Sequence, residues 1–409
     1  MIPNGWSLEK LSDISQYRRG SFPQPYGLEK WFDDDGHPFV QVYDVDRNLQ
    51  LKPQTKARIS DLAADKSVLA PAGTVLVTLQ GSIGRVAITQ YSAYVDRTLL
   101  IIQGLKKPGC TLYFATCLQK LFAEERKRAP GGTIKTITKA ALNNFEILWP
   151  PEGEQKKIAQ ILSTWDKAIT TTEQLLTNSQ QQKKALMQQL LTGKNRLLDK
   201  NGVRFNGEWQ FQRISSVSTR VQRKTDGDDH PILTISSLSG FVRQDVRYSR
   251  YMAGESVKNY ILLKKREFAY NKGNSKSYQF GCIFDLEDHE SGLVPHVYVC
   301  FKLNEGLSHR YFKYLFAADY LKPQLGALVN TGVRNNGLLN IKPSEFLATK
   351  VPVPNIEEQE RIADTLHASS ETIKNLELQI KALENEKKAL MQQLLTGKRR
   401  VSVSKETAR

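Results

Sequence analysis

The sequence predicts an α+β fold. Two α/β domains are separated by two long helices that pair as an antiparallel coiled coil, giving a pseudo-twofold internal repeat. Three observations support this. The stretch KKALMQQLLTGK occurs at Lys183–Lys194 and again, unchanged, at Lys387–Lys398. Apolar residues upstream of each copy recur in alternating steps of four and three. Two blocks of short β-rich runs alternate with these helical stretches, so the chain is a duplication.

The repeat extends upstream of the identical stretch at the same offset. Glu154-Gln155 in the first copy corresponds to Glu358-Gln359 in the second, and prolines precede both pairs. The β-rich blocks between the helices diverge strongly. A preserved helical scaffold with two diverged domains indicates related tasks on different targets.

The helical stretches predict a coiled-coil seam, because the apolar spacing of four and three continues over about five heptads. Gly193 and Gly397 are placed where helices end, and Asn355 with Glu358 three residues later predicts an N-cap. At 1.5 Å per residue each helix is roughly 60 Å long. The alternative is two independent amphipathic helices, each packed on its own domain. The predicted seam residues are Ile158, Leu162, Trp165, Ile169, Leu176, Leu186, Leu190, Ile362, Leu366, Ile373, Leu376, Ile380, Leu383, Leu390 and Leu394.

The chain order is therefore domain, helix, domain, helix. In the first block, β-rich runs punctuated by Gly and Pro, a helix from about Leu112 to Arg128 and a last run before Pro150 predict one twisted sheet with helices. The predicted segments are a first domain at 1–150, a helical spacer at 151–194, a connector and second domain at 195–354, a second spacer at 355–398 and a basic tail at 399–409.

The charge balance favours a polyanionic partner. The chain has 58 Lys and Arg against 42 Asp and Glu, a formal net charge of +16. No apolar run approaches the ~18 residues that a membrane-spanning helix needs. The four cysteines form no CxxC pair, which is typical of thiols in a reducing compartment. We therefore predict a cytoplasmic protein without a membrane partner.

Sequence motifs of common enzymes are not found. There is no phosphate-binding loop, GxGxxG, GxSxG, HExxH or kinase signature, and Trp149 precedes Pro150-Pro151 where an amino-methyltransferase loop needs Asn or Asp. We predict no catalytic residue and no metal site. His37 and His230 are interpreted as strand-entry residues, with a phosphate or base contact as the alternative. A solvated loop is the interpretation of the cluster Asp285, Glu287, Asp288, His289, Glu290 and His296.

Several loops in both blocks combine the residue types that contact phosphates and read base edges. Glycines beside two of these loops would let backbone approach a duplex closely. The candidate DNA-binding residues of the first block are Tyr17, Arg18, Arg19, Gln80, Ser82, Arg85 and Lys135. Those of the second are Arg220, Arg223, Lys224, Asn271, Lys272, Asn274, Lys276, Tyr278, Arg334, Asn335 and Asn336.

Over its full length the chain resembles the specificity (DNA-recognition) subunits of type I restriction–modification systems. The resemblance rests on the Pro-Pro-x-x-Glu-Gln-x-x-Ile-Ala-x-x-Leu segment starting at Pro150, its partner starting at Pro354, the repeated KKALMQQLLTGK ends and the two diverged blocks. It implies that the blocks are target-recognition domains and that the helices hold them apart. It also implies a non-catalytic subunit that joins two methyltransferase subunits and restriction/translocase subunits. S-adenosylmethionine, ATP and Mg²⁺ are then expected only on those partners.

The predicted function is to read a bipartite, asymmetric site in double-stranded DNA, one half-site per recognition domain, with methyltransferase subunits docked on the helices. One alternative is a self-contained DNA methyltransferase or nuclease with its own recognition domains. Another is a coiled-coil scaffold that does not bind DNA.

Overall fold

The computed structural model describes residues 2–46, 48–128, 142–247, 254–273, 275, 277–329 and 339–403. The chain divides into two compact units. Unit 1 comprises Met1–Glu173 and Leu378–Arg409, and unit 2 comprises Gln174–Glu377. Each unit thus contains one β-rich block and a portion of both long helices.

Unit 1 is built mainly of antiparallel strands. Its three sheets have the strand orders β1-β10, β2-β9-β6-β7 and β4-β3-β8-β5, and the pairing of β3 with β8 is parallel. Its elements are β1 (Ser7–Lys10), α1 (Leu11–Ile14), β2 (Ser15–Arg19), β3 (Phe32–Val40), β4 (Ala57–Ile59), α2 (Asp61–Ala64), β5 (Val68–Ala70), β6 (Val75–Thr78), β7 (Val86–Ile88), β8 (Ala93–Val95), β9 (Leu99–Leu105), α3 (Thr111–Arg128), β10 (Glu146–Trp149) and the start of α4 (Glu152–Leu190).

Unit 2 repeats this order with different details. Its sheets are β11-β20, β12-β19-β16-β17, β13-β14 and β15-β18. Its elements are β11 (Gln210–Arg213), α5 (Ile214–Val217), β12 (Ser218–Val221), β13 (Leu233–Ser236), β14 (Gly240–Arg243), α6 (Gln244–Arg247), β15 (Ile261–Lys264), β16 (Phe268–Asn271), β17 (Cys282–Asp285), β18 (Ser291–Val294), β19 (Val299–Leu303), α7 (His309–Ala317), α8 (Lys322–Leu328), α9 (Pro343–Leu347), β20 (Lys350–Val353) and the start of α10 (Ile356–Leu394).

The prediction of one twisted sheet in the first block is wrong. Most strands are only three to five residues long, and β3 is interrupted by a register shift between Phe32 and His37. Such short segments separated by Gly and Pro turns form several small sheets, because a bulge or turn redirects the chain before a wide sheet can extend. His37 also lies inside β3, not at its start.

Equivalent polar contacts mark the internal repeat outside the helices. The Ser15 hydroxyl donates to the Leu11 carbonyl (2.9 Å), and the Ser218 hydroxyl donates to the Ile214 carbonyl (2.7 Å). Both serines follow a one-turn helix and begin the outer strand of a four-stranded sheet. The sheets β2-β9-β6-β7 and β12-β19-β16-β17 are therefore equivalent, strand for strand, although their sequences have diverged.

The long helices end as the sequence predicts. Helix α4 ends at Leu190 and α10 at Leu394, and the glycines three residues later, Gly193 and Gly397, have φ of +69° and +66°. That left-handed conformation favours glycine after a helix C-terminus. At the start of α10 the Asn355 side chain accepts a hydrogen bond from the Glu358 amide (2.8 Å), so the predicted N-cap is present.

Within each unit the two helix segments run antiparallel and share a core. In unit 1, Ile158 and Leu162 from the start of α4 pack with Leu394 at the end of α10. In unit 2, Leu190 at the end of α4 packs with Ile362 near the start of α10. All fifteen predicted seam residues are buried or half-buried.

In each unit a glutamate accepts hydrogen bonds from one arginine and one tryptophan, and the two sets of contacts match. The Glu358 carboxylate, 1% exposed, accepts from Arg196 Nη2 (2.7 Å) and from Trp209 Nε1 (3.0 Å). In unit 1 the Glu154 carboxylate accepts from Arg400 Nε (3.0 Å) and Trp6 Nε1 (3.2 Å). In both, the guanidinium lies over the indole ring, at 5.4 Å in unit 2 and 5.6 Å in unit 1. We call these contacts the Glu–Arg–Trp clasps.

A glutamine beside each clasp ties the same helix start to its own block. In unit 1, Gln155 Nε2 donates to the Pro150 carbonyl (2.9 Å), and its Oε1 accepts from the Cys110 amide (2.9 Å). In unit 2, Gln359 makes the matching contacts with the Pro354 carbonyl (2.7 Å) and the Ser308 amide (3.0 Å). Both side chains are fully buried, so the Glu-Gln pair in the repeat is a structural element.

Unit 2 buries an acid and an imidazole together, which corrects the prediction that Asp285 lies in a solvated loop. Asp285 ends strand β17, and its Oδ2 lies 3.3 Å from His309 Nε2. Neither atom has another hydrogen-bond partner among the residues that the structure describes. Burial raises the pKa of Asp285 to about 6 and lowers the pKa of His309 to about 4. Between these values the folded pair is neutral, with its proton on Asp285.

This pair predicts a pH response that appears only when one partner is removed. In the unfolded chain the proton sits on histidine between pH 4 and 6, so wild-type folding changes no proton count there. In His309→Gln, folded Asp285 keeps a proton that the unfolded chain releases. The free energy of unfolding should then fall as pH rises from about 4 to 6, by up to about 3 kcal/mol.

The partner variant Asp285→Asn should behave oppositely. With the pKa of His309 lowered in the folded state, the unfolded chain binds the extra proton, so stability should rise with pH over the same window. Urea unfolding at pH 4, 5, 6 and 7 measures all three slopes. Equal slopes in wild type and both variants would contradict the neutral pair.

None of the helices in the described part of the chain has the length and apolarity that crossing a bilayer requires.

Candidate nucleic-acid interface

Each unit has one hairpin connection that contains predicted DNA-binding residues, and the two connections are equivalent. In unit 1 residues 79–85 connect β6 to β7, and in unit 2 residues 272–281 connect β16 to β17. Each hairpin lies at the edge of the equivalent four-stranded sheet. We call these two connections the hairpin tips. The sequence candidates Gln80, Ser82 and Arg85 in unit 1 therefore occupy the same topological place as Lys272 and Tyr278 in unit 2.

The hairpin tip of unit 1 has a fixed conformation. The Thr78 hydroxyl donates to the Ser82 carbonyl (2.5 Å) and accepts from the Arg85 amide (3.0 Å). Gly84 has φ +79°, and a Cβ placed there would lie 2.6 Å from Phe122 Cβ, so helix α3 packs directly on the tip. Only glycine meets both conditions.

Two arginines and one aspartate, Asp46, line a cavity of about 450 Å³ beside this tip. Half-buried Arg85 and exposed Arg126, near the end of α3, both line it. Arg85 Nη1 also donates to the Val45 carbonyl (3.3 Å). Ser82 lines the same cavity. The tip thus offers hydroxyl, guanidinium and backbone groups at one place, which suits a phosphate backbone.

The remaining candidates of unit 1 divide into exposed and held residues. Arg18 and Arg19 are exposed on β2. Tyr17 is half-buried and its hydroxyl donates to Asn143 Oδ1, so it supports the unit's own packing. Lys135 lies outside the described residues.

In unit 2 the basic candidates near β12 differ in whether their side chains already make hydrogen bonds within the unit. Arg220 is exposed on the strand. Arg223 donates to the buried Glu267 carboxylate (3.0 Å) and to the Leu262 carbonyl (3.0 Å), and the hydrogen bond with Glu267 raises its pKa. Lys224 Nζ donates to the Asn259 carbonyl (2.9 Å). Arg223 therefore already neutralises a buried acid.

The hairpin tip of unit 2 is tied to the segment that precedes α9. Lys272 Nζ donates to the Ile341 carbonyl (3.2 Å), and the Lys272 carbonyl accepts from the Leu339 amide (2.9 Å). Asn271 Oδ1 accepts from the Gly273 amide (3.0 Å), and Tyr278 packs edge-on against Phe284. The candidates outside the described residues are Asn274, Lys276, Arg334, Asn335 and Asn336.

The two predicted strand-entry histidines both face carboxylates. His37 Nε2 lies 2.7 Å from Asp61 Oδ1. His230 Nε2 lies 2.7 Å from Asp226 Oδ1, and its Nδ1 lies 2.8 Å from the Ser291 hydroxyl. Asp228 joins this second group, whose potential ligand atoms lie within 4.8 Å of one another on the surface. The hydrogen bonds to both ring nitrogens account for the orientation of His230.

Sequence reasoning missed a polar and aromatic surface in unit 1. The Tyr43 hydroxyl donates to Gln41 Oε1, and Gln41 Nε2 donates to the Tyr26 hydroxyl. Burial, and next the charge of the buried Asp96 carboxylate, raise the pKa of Tyr26. We call Tyr26, Gln41, Tyr43 and Asp96 the tyrosine–glutamine array. Tyr26 and Tyr43 are 40% and 38% exposed, so the array faces solvent.

This array lies beside the hairpin tip, at the ends of β3 and β8 in the other four-stranded sheet of unit 1. A Cβ added at Gly81 would be 3.6 Å from Val42, which lies between Gln41 and Tyr43. The Leu79 amide donates to the Thr98 carbonyl (2.8 Å), two residues after Asp96. Exposed Arg97 lies over the Tyr26 ring at 5.9 Å, and Lys56 lies over the Tyr43 ring at 5.2 Å. Aromatic, amide and cationic groups thus form one surface with the tip.

Residues 3–178 match the family model "Type I restriction modification DNA specificity domain". The chain is similar to the specificity subunits of type I restriction–modification systems. It is 22% identical over 424 residues to the MjaVIII specificity subunit of Methanocaldococcus jannaschii, covering 98% of this chain and 94% of that one.

Solved structures agree with the predicted fold class of a specificity subunit. The S subunit of a type I system from M. genitalium superposes with a TM-score of 0.54 at 14% identity, covering 96% of both chains. A second solved chain comes from a study of complex assembly and conformational transition of the type I R-M system. It superposes with a TM-score of 0.58 at 13% identity, covering 97% of this chain and 98% of that one. The mixed helix and sheet fold predicted from the sequence is confirmed.

Proposed function

We propose that this specificity subunit reads a bipartite, asymmetric site in double-stranded DNA, with one half-site contacted by each β-rich block. The observation that carries this is the placement of polar and basic candidate residues on equivalent hairpin tips in two diverged units. Equivalent scaffolds with different loop residues suit two different base sequences. The net charge of +16 favours the phosphate backbone.

We propose that partner subunits catalyse the reactions. Two methyltransferase subunits would dock on the helices, restriction/translocase subunits would complete the assembly, and S-adenosylmethionine, ATP and Mg²⁺ would act only on these partners in the cytoplasm. A docking surface is supported by a cavity of about 880 Å³ in unit 2, lined by Lys183, Met187 and Leu191 of the duplicated stretch. Tyr320 and Pro323 form its other wall.

Methylome mapping tests this function. Cells that express the chain with its methyltransferase should carry methylated adenines in one two-part motif, with an unspecified spacer between the parts. Lengthening both long helices by one turn should change the preferred spacer and leave both half-site sequences unchanged, since the hairpin tips are untouched. Long-read sequencing reports both. An unchanged spacer would contradict the proposed role of the helices.

The purified chain separates this proposal from its main alternative. A self-contained methyltransferase or nuclease would modify or cut DNA without partners. We expect neither activity from the chain alone, and methylation only after the methyltransferase is added. Activity of the isolated chain would overturn the assignment of catalysis to partner subunits.

A further inference from the structure

The orientation of the Gln41 side-chain amide is determined by its neighbours in the tyrosine–glutamine array. The Tyr26 hydroxyl accepts from Gln41 Nε2, and Gln41 Oε1 accepts from the Tyr43 hydroxyl. The nearby Asp96 carboxylate adds to the rise in the pKa of Tyr26 that burial causes. Burial raises the pKa of Tyr26, and that of Tyr43 to about 12, so both hydroxyls keep their protons at neutral pH.

The backbone beneath Gln41 is held as firmly as its side chain. Buried Asp44 accepts from the Gln41 amide (2.8 Å) and from the Lys56 amide (3.0 Å), which closes the 3-10 turn Val42–Asp44. Asp96 Oδ1 in turn accepts from the Thr98 amide (2.9 Å). A side chain supported in this way loses little conformational entropy when it binds, so it is preorganised for recognition.

Among the described residues, the nitrogen and the oxygen of the Gln41 amide each have one hydrogen-bonding position that the array does not use. Nε2 has a second hydrogen and Oε1 a second lone pair, because the array uses only one of each. Together they present a donor and an acceptor in a fixed order. In the major groove adenine offers the complement, an N7 acceptor beside an N6 donor, whereas guanine offers two acceptors that would oppose Oε1.

We propose that Gln41 reads the edge of one adenine in the half-site of unit 1, with Tyr26, Tyr43 and Asp96 as positioning residues. This inference rests on the proposed DNA-reading function. Arg97 and Lys56 flank the array and supply positive charge for the adjacent phosphates. The contact belongs to unit 1 alone. Thr234, which follows His230-Pro231 as Gln41 follows His37-Pro38, is buried and hydrogen-bonded to Tyr298 (3.1 Å).

The test uses the chain in complex with its methyltransferase and compares methylated motifs. In Gln41→Ala the preference for adenine at one base pair should fall about 5- to 150-fold, the loss expected for a bidentate base contact. In Gln41→Glu that position should shift toward cytosine, whose N4 donates to a carboxylate. Gln103→Ala is the matched control, since this exposed glutamine lies toward the other end of β9.

Tyr26→Phe tests the positioning role separately from the contact. Without the Tyr26 hydroxyl the Gln41 amide can rotate, so discrimination at the same base pair should fall while every other position of the motif is unchanged. A merely structural tyrosine would lower activity on all sites and the melting temperature without relaxing one base.

The outcomes distinguish this inference from the function beneath it. Random or missing methylation by the wild-type complex overturns the proposed function. A wild-type motif that is kept unchanged by Gln41→Ala and Gln41→Glu overturns the inference alone. So does a uniform loss at all sequences, which would place Gln41 against the backbone. Loss of folding in Gln41→Glu, which conserves side-chain size, would make Gln41 structural and likewise overturn it.

Discussion

Replacing Glu358 with alanine should lower the free energy of unfolding of unit 2 by about 3–5 kcal/mol, the cost of leaving one buried charge unpaired. The Glu358 side chain is 1% exposed and that of Arg196 19% exposed, so water cannot replace the lost carboxylate easily. Trp209 Nε1 loses its acceptor at the same time. Native-state hydrogen exchange of the amides of unit 2 measures this loss.

The equivalent change in unit 1 is the internal control for this expectation. Glu154→Ala removes the same contacts, but the Arg400 side chain is 42% exposed and can be solvated once its partner is gone. We expect a clearly smaller loss there. Hydrogen exchange in each unit measures the loss of unfolding free energy in the two variants. Equal losses would show that burial does not govern the strength of the clasps.

Replacing Gln359 with leucine should destabilise unit 2 by about 2–6 kcal/mol, because it leaves two buried backbone groups without partners. The Ser308 amide and the Pro354 carbonyl both depend on this side chain. Gln155→Leu should have a comparable effect on unit 1, since it removes the hydrogen-bond partner of the Cys110 amide and of the Pro150 carbonyl.

Gln160→Leu controls for the loss of a glutamine from the same helix. Gln160 is exposed on α4, and only its backbone carbonyl is used by Ser163 and Thr164. Its replacement should change the free energy of unfolding little. Thermal melting of the three variants provides the comparison, and a large effect of Gln160→Leu would show that the buried contacts are not what makes the other two glutamines important.

The parts of the fold that follow from local sequence were predictable. Helix ends at Gly193 and Gly397, the N-cap at Asn355 and the apolar spacing of the seam each depend on a few neighbouring residues. The number and order of the sheets were not. They depend on where bulges and turns redirect three- to five-residue strands, which no periodicity records.

The candidate interface was predictable only in part, for a related reason. Basic loops are visible in sequence, and two of them proved to be equivalent hairpin tips. The tyrosine–glutamine array joins Tyr26, Gln41, Tyr43 and Asp96 from three separate stretches, so only the folded chain brings them together. Arg223 looked like a contact residue because its partner, Glu267, is 44 residues away in sequence.

The identical stretches also acquire different surroundings, which the repeat alone cannot show. Lys387 pairs with Asp166 in unit 1. At the matching place in unit 2 stands Ser370, and Lys183 instead lies over the Tyr314 ring at 5.6 Å, where burial lowers its pKa. Equal sequence therefore specifies equal helices but unequal surfaces.

The division of the chain between the units has a consequence for its synthesis. Unit 2 is a continuous stretch and can fold as soon as it leaves the ribosome, whereas the core of unit 1 includes Leu394 and Leu395 near the end of the chain. At translation rates of about 5–20 residues per second, the N-terminal block waits roughly 10–50 s for these residues. The half of the protein made first is thus the half completed last.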